Sequence, residues 1–241
     1  MKVIYLALTL LPLADVFGQE NKESTRVLTG KLAISYGIGI PSGSFASTNR
    51  SNSESGYALN STNLDATYTL RNEANHYGLI VTVRRSVFDY NNGAISGYQP
   101  DGSYWIGSSE TWNVTNVQVG FFRHVPWGSK FSLEPKLYMG MLFMGSKART
   151  ITGTGGTGNI NRKLEYNNEA SSSYAFMMGT NIRYALSDQV DLFGVIDFYT
   201  SSPSVDYTVK VTDYTGVQSF SSAFEQPVSA FSFLLGISFA F

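Results

Sequence analysis

The stretch that decides the fold is the last one, Ala230 to Phe241, "AFSFLLGISFAF". Its odd positions are all large and apolar: Phe231, Phe233, Leu235, Ile237, Phe239 and Phe241. Its even positions are mostly small, with Ser232, Gly236, Ser238 and Ala240, and Leu234 as the exception. A period of two belongs to a strand, whose successive side chains point to opposite faces. A strand this apolar on one face and this small on the other needs two very different surroundings.

The same alternation occurs seven more times. "GKLAISYGIGI" sets Leu32, Ile34, Tyr36, Ile38 and Ile40 against Lys31, Ala33, Ser35, Gly37 and Gly39. "NLDATYTL" and "YGLIVTV" set Leu64, Tyr68, Leu79, Val81 and Val83 against Asp65, Thr67, Thr82 and Arg84. "NVQVGFFR" follows less cleanly. "FSLEPKLYMGMLF", "SYAFMMGTNIRY" and "VDLFGVIDF" place Leu133, Leu137, Met178, Ile182, Leu192 and Ile196 on one face. Glu134, Lys136, Arg183, Asp191 and Asp197 take the other.

The connections alternate in length. Short turns ("RNEANH", "HVPWGSK", "ALSDQ") join strands two to three, four to five and six to seven. Long polar segments join the rest: Pro41 to Asn60, Ser86 to Glu110, Gly145 to Ser172 and Ser201 to Pro227. Long loops are uncommon inside compact soluble domains. Four on one end of a meander predict four hairpins with short turns at one end and long loops at the other. Within the last loop, "SVDYTVKVTDY" alternates well enough to extend a hairpin beyond the barrel.

Eight antiparallel strands can close into a barrel, and a soluble barrel closes the same way. Three features turn the apolar face outward. The opposite face is rich in Gly, Ala, Ser and Thr, which suit a narrow interior. The charges on it come in both signs, so they can pair when buried; an Arg or Lys facing the middle of a bilayer would instead cost about 2–4 kcal/mol. Tyr77, Tyr174, Tyr184, Trp112 and Trp127 sit near strand ends, as the aromatic girdles of a membrane barrel do. The expected fold is all-β: an eight-stranded antiparallel up-and-down transmembrane β-barrel.

The first residues give the address. Lys2, the apolar run Val3 to Leu13, and Val16 and Gly18 before Gln19 read as a secretory signal peptide over residues 1–18. Residues 19–28 then form a short segment and residues 29–241 the barrel domain. The chain has no cysteine, so it uses no disulfide. A net charge of −1 gives no basic field for nucleic acid.

Taken together, the chain resembles small outer-membrane β-barrels of the OmpA/OmpX-like superfamily, in the style common among Bacteroidetes. The residues that carry the likeness are "FGQE", "GIGIPSGSFA", "SLEPKLYMG", "LSDQVDLF" and the closing "LLGISFAF". The resemblance implies residence in the bacterial outer membrane among its lipids. It also implies that Ile237, Phe239 and Phe241 form a signal read by the outer-membrane insertion machinery. In contrast to full-length OmpA, no peptidoglycan-binding domain is expected after Phe241.

Little else in the sequence points to chemistry. "GTGGTG", Gly153 to Gly158, has the spacing of a nucleotide-binding turn but lies within a long segment, where a flexible loop is expected. His76 and His124 fall at the short-turn end, and no cluster has metal-ligand spacing. No catalytic, cofactor or metal residue is expected. The polar residues of interest are Asp65, Arg84, Glu134, Lys136, Arg183 and Asp197, candidates for a set of ion pairs filling the lumen. The expected function is a non-enzymatic, monomeric structural or surface-interaction protein meeting an extracellular ligand through its long loops. The competing reading is a narrow channel or a transporter of small hydrophobic molecules.

Overall fold

The computed structural model describes residues 28–50, 52, 54–98, 102–145, 147–155 and 160–241. The expected signal peptide, nearly all of residues 19–28, and residues 156–158 of the Gly-rich run lie outside the described residues.

In chain order the strands are β1 (Leu28–Pro41), β2 (Ala58–Asn72), β3 (Tyr77–Tyr90), β4 (Gly97–Tyr98), β5 (Ser103–Ser109), β6 (Trp112–Arg123), β7 (Val125–Trp127) and β8 (Phe131–Met144). They continue as β9 (Lys147–Gly155), β10 (Ile160–Asn168), β11 (Ser171–Ala185), β12 (Val190–Ser201), β13 (Ser204–Asp213), β14 (Gly216–Glu225) and β15 (Val228–Ala240). A short helix, α1 (Gly43–Ala46), follows β1, and a single 3-10 turn, Asn92–Ile95, follows β3 among the described residues.

Eight of these strands form a closed antiparallel barrel in the order β11-β12-β15-β1-β2-β3-β6-β8, and β8 pairs back onto β11. β7 is a short flap on the start of β8, with Val125 opposite Leu133. Closure leaves no free edge, as a strand structure in lipid requires. The seam is the pair β1–β15, running from Lys31↔Ala240 to Pro41↔Ala230. A Cβ on Gly37 would sit 2.0 Å from the Phe233 carbonyl oxygen, so only glycine lets the two strands approach there.

The outward face is apolar around the middle of the barrel: Leu32, Ile34, Leu64, Val81, Met139, Phe233 and Leu235 are all exposed. The inward face of the same strands is buried. Strands of 12–15 residues, tilted as in membrane barrels, reach roughly 30–40 Å, against a hydrocarbon band of about 25 Å. On β3 the outward apolar residues give way to exposed Arg85 and Asp89, where the strand passes out of that band. Tyr174, Trp127 and Phe131 are exposed near barrel ends, and Phe131 packs on Tyr184 with ring centroids 4.9 Å apart.

Two expectations need correction. Trp112 is not part of an aromatic girdle: it is 3% exposed and points into the barrel mouth. The lumen, too, is not filled mainly by small residues. Ile80, Phe122, Tyr138, Leu142, Met177, Phe193, Tyr199 and Leu234 all point inward and are buried. Leu234, the exception in the closing stretch, packs with Ala33, Phe193 and Val195.

The long loops hold the larger surprise. Three of the four form hairpins that pair with one another as a second sheet, in the order β14-β13-β10-β9-β5-β4. The third loop joins the fourth through Tyr166↔Val209 and joins the second through Arg149↔Ser109. "SVDYTVKVTDY" supplies β13, as its alternation suggested. The Gly-rich run is not simply a flexible loop, since Gly153 to Gly155 close β9. Gly153 is needed because a Cβ there would lie 2.6 Å from the Trp105 ring.

Candidate functional site

All six charged residues expected in the lumen are buried there, and they fall into two layers. In the middle layer Arg84 on β3 bridges two strands, with Nη2 2.6 Å from Asp65 Oδ2 and 2.6 Å from Asp197 Oδ2. Lys136 on β8 completes the group, its Nζ 2.9 Å from Asp197 Oδ1. Thr67 and Thr82 hydroxyls donate to Asp65 Oδ1 at 2.6 and 2.8 Å. Arg84 is therefore held by both neighbouring and distant strands, and the layer ties β2, β3, β8 and β12 across the lumen.

The second layer lies nearer the short turns. Arg183 Nε donates to Glu134 Oε2 at 2.5 Å, and Asn181 Nδ2 donates to the same oxygen at 3.3 Å. Three titratable residues outside the expected six also join it. Asp191 accepts from Lys31 at 2.5 Å and lies 3.5 Å from Arg183. His124 Nδ1 lies 3.3 Å from Glu134 Oε1. Lys31 and Asp191 stand on the polar parity of their strands, so the alternation did carry the signal for them. His124 belongs to a turn, where parity says nothing.

Each ion taken from water into such an interior costs several kcal/mol, and only close, multiply bonded partners offset it. The ion pairs therefore act as a set that fills the lumen and links strands across it.

Above the charged layers the mouth is stoppered by apolar side chains. α1 drops Phe45 into the opening, fully buried, against Phe88 (5.0 Å between centroids, edge-on) and Trp112 (6.0 Å). The Trp112 indole donates to the Gly56 carbonyl at 2.8 Å, which locks the first loop over the stopper.

Between this stopper and the outer sheet lies a cavity of about 180 Å³ that the sequence did not suggest. Its floor is Tyr90, Trp112 and Lys147, all buried. Its walls are Arg149, Tyr166, Asn168, Tyr207 and Phe224, all partly exposed. The Lys147 Nζ sits between two ring faces, 3.6 Å from the Tyr90 centroid and 3.5 Å from that of Trp112. Burial, with Arg149 adding repulsion, pushes its pKa down to about 5. Arg149 stacks on Tyr166 at 4.1 Å and reaches the Tyr90 hydroxyl at 3.4 Å. The cavity was invisible in the sequence because it draws on β3, β6, β9, β10, β13 and β14, which only the pairing of separate loops brings together.

At the closing strand, Ile237, Phe239 and Phe241 all face outward. Phe241 is tied down by its backbone N–H to the Gly30 carbonyl at 3.0 Å and stacks on Tyr68. Among the described residues no group of three His, Cys, Asp or Glu side chains is arranged to hold a metal ion.

A closed barrel with an apolar outer belt and a polar, ion-paired interior is built to span a bilayer. No family model matches the chain. No curated protein matches it significantly. Among solved structures it is similar to a major outer membrane protein from Thermus thermophilus, at 14% identity and a TM-score of 0.47, covering 88% of this chain and 99% of that one. It is also similar to Ail, the attachment invasion locus protein of Yersinia pestis, at 13% identity and a TM-score of 0.44, with coverage of 88% and 98%. Neisserial surface protein A aligns at 9% identity and a TM-score of 0.41, with coverage of 89% and 97%.

Proposed function

We propose that this chain is a non-enzymatic, closed outer-membrane barrel whose work is done at its outer sheet, as a surface-interaction protein for an extracellular ligand. The observation that carries this reading is the filled lumen: two layers of buried ion pairs beneath an apolar stopper. Eight strands enclose little more than their own side chains, and here those side chains interlock across the opening. The three loops joined into a sheet give the outside a fixed surface.

In this reading residues 1–18 are a cleaved signal, residues 29–241 are the barrel domain, and the protein is a monomer among outer-membrane lipids. Ile237, Phe239 and Phe241 are what the insertion machinery recognises, since they line up outward at the strand end. The affiliation that fits is the OmpA/OmpX-like superfamily in its Bacteroidetes style.

The test is single-channel recording in planar bilayers. The wild-type chain passes no discrete current steps. Lys136→Glu, which sets a carboxylate against Asp197, produces openings or a clear loss of thermal stability. Steady wild-type openings overturn the closed-barrel reading in favour of a narrow channel.

A further inference from the structure

The cavity beneath the outer sheet is equipped for a ligand of one chemical kind. Two basic side chains reach it, Lys147 from its floor and Arg149 from its wall, and no carboxylate side chain lines it among the described residues. The Lys147 Nζ has no hydrogen-bond or ion-pair partner among the described residues, although the residue is only 5% exposed. A buried ammonium without an anion is costly, and facing rings compensate only in part. The remaining lining is flat and aromatic, from Tyr90, Trp112, Tyr166 and Tyr207. The amides of Asn168 and Gln226 add polar edges. The volume suits a single ring, because an apolar cavity of about 150 Å³ is enough for benzene.

We propose that this cavity binds a small monoanion, a carboxylate carried on one ring, with Lys147 and Arg149 receiving the carboxylate and the aromatic walls stacking on the ring. The proposal rests on the reading of the outer sheet as the interaction surface and gives that surface a ligand class. An aromatic acid and an acidic sugar share this chemistry, since either ring presents a face to Tyr or Trp.

The charge state of Lys147 sharpens the expectation. The groups facing it are Arg149, Tyr90, Trp112 and, beyond the strand, Glu110, whose Oε2 accepts from the Ala148 N–H at 3.1 Å. Burial holds the amine largely neutral at pH 7, with its pKa pushed down to about 5. An arriving carboxylate stabilises the ammonium, so binding takes up a proton and affinity falls as pH rises above about 5.

The experiment is isothermal titration calorimetry on the full chain in a non-ionic detergent, with benzoate, D-glucuronate, benzyl alcohol and D-glucose as probes. At least one of the two acids binds saturably, more tightly than its neutral counterpart, with proton uptake revealed by buffers of different ionisation enthalpy. Binding by benzoate alone assigns an aromatic acid, and binding by glucuronate alone assigns an acidic sugar. Lys147→Met weakens the binding by about ten- to a hundredfold, the loss expected for one hydrogen bond to a charged group. Heat-modifiable gel migration checks that the variant folds; if it does not, Arg149→Gln carries the same expectation. Equal binding of acid and neutral probe, undiminished binding by Lys147→Met, or no saturable heat from either acid overturns the proposal. None of these results bears on conductance, so the closed-barrel reading stands or falls separately.

Discussion

The barrel and the outer sheet are both antiparallel, both alternating and both cut from the same chain, yet they expose opposite faces. The barrel turns Leu32, Val81 and Leu235 outward and buries Arg84, Glu134 and Asp197. The outer sheet buries Val205 and Val209 and leaves Lys163, Glu165 and Lys210 on the surface. The barrel closes on itself, whereas the outer sheet ends in two open edges, β14 and β4. A free strand edge survives in water, which hydrogen-bonds it, but not in hydrocarbon. The polarity of the exposed face and the state of the edges thus report the surrounding medium, and they change where the chain leaves the membrane.

That contrast can be broken most forcefully in the lumen. Asp197→Ala removes the counter-ion shared by Arg84 and Lys136 and leaves two buried cations short of charge. It should cost about 3–5 kcal/mol, read from urea unfolding in lipid vesicles. Gly153→Leu acts on the other region. It drives a side chain into the Trp105 ring and should cost the outer sheet about 1–3 kcal/mol of packing. Protease cleavage within the loops should then speed up, while heat-modifiable migration of the barrel stays unchanged. A collapse of both together would show that the two regions fold as one unit.

A pH effect should separate the regions more finely. Lys147 has its pKa lowered from 10.5 to about 5, so between those values the unfolded state holds more protons than the folded state. Stability of the outer sheet therefore rises with pH across that window and falls as pH drops towards 5. Protease protection of the loops should be greater at pH 9 than at pH 6, and Lys147→Met should flatten the difference. At the small end, Glu165→Gln removes exposed pairing to Lys163 and Lys210 and should leave loop protection and barrel unfolding unchanged, since exposed ion pairs contribute little.

Much of the barrel was legible in the sequence because its signal is local. Period-two alternation over ten residues gives the strand, its faces and, through Asp65, Arg84, Glu134, Lys136, Arg183 and Asp197, the charged residues that meet in the lumen. Parity gave the face of Trp112 less well, because a large ring near a strand end fits either a girdle or a stopper. The outer sheet was largely hidden. Its strands are shorter than those of the barrel, and they find partners in different loops: Tyr166 pairs with Val209, and Arg149 with Ser109. Such pairing depends on where the barrel holds the loop ends, which no single stretch records. The cavity at Lys147 inherits that non-locality, and so does the contact of His124 with Glu134.

The most direct test of the lipid-facing barrel uses the absence of cysteine, because single-cysteine variants need no background removal. Nitroxide labels are placed one at a time from residue 231 to residue 239 in the closing strand, in lipid vesicles. Accessibility to oxygen, which concentrates in hydrocarbon, is then compared with accessibility to a water-soluble nickel complex. The account predicts a period of two: labels at Phe231, Phe233, Leu235, Ile237 and Phe239 are open to oxygen and shielded from nickel, and labels at Ser232, Leu234, Gly236 and Ser238 are shielded from oxygen. Oxygen accessibility on the even positions, or nickel accessibility on the odd ones, would contradict it.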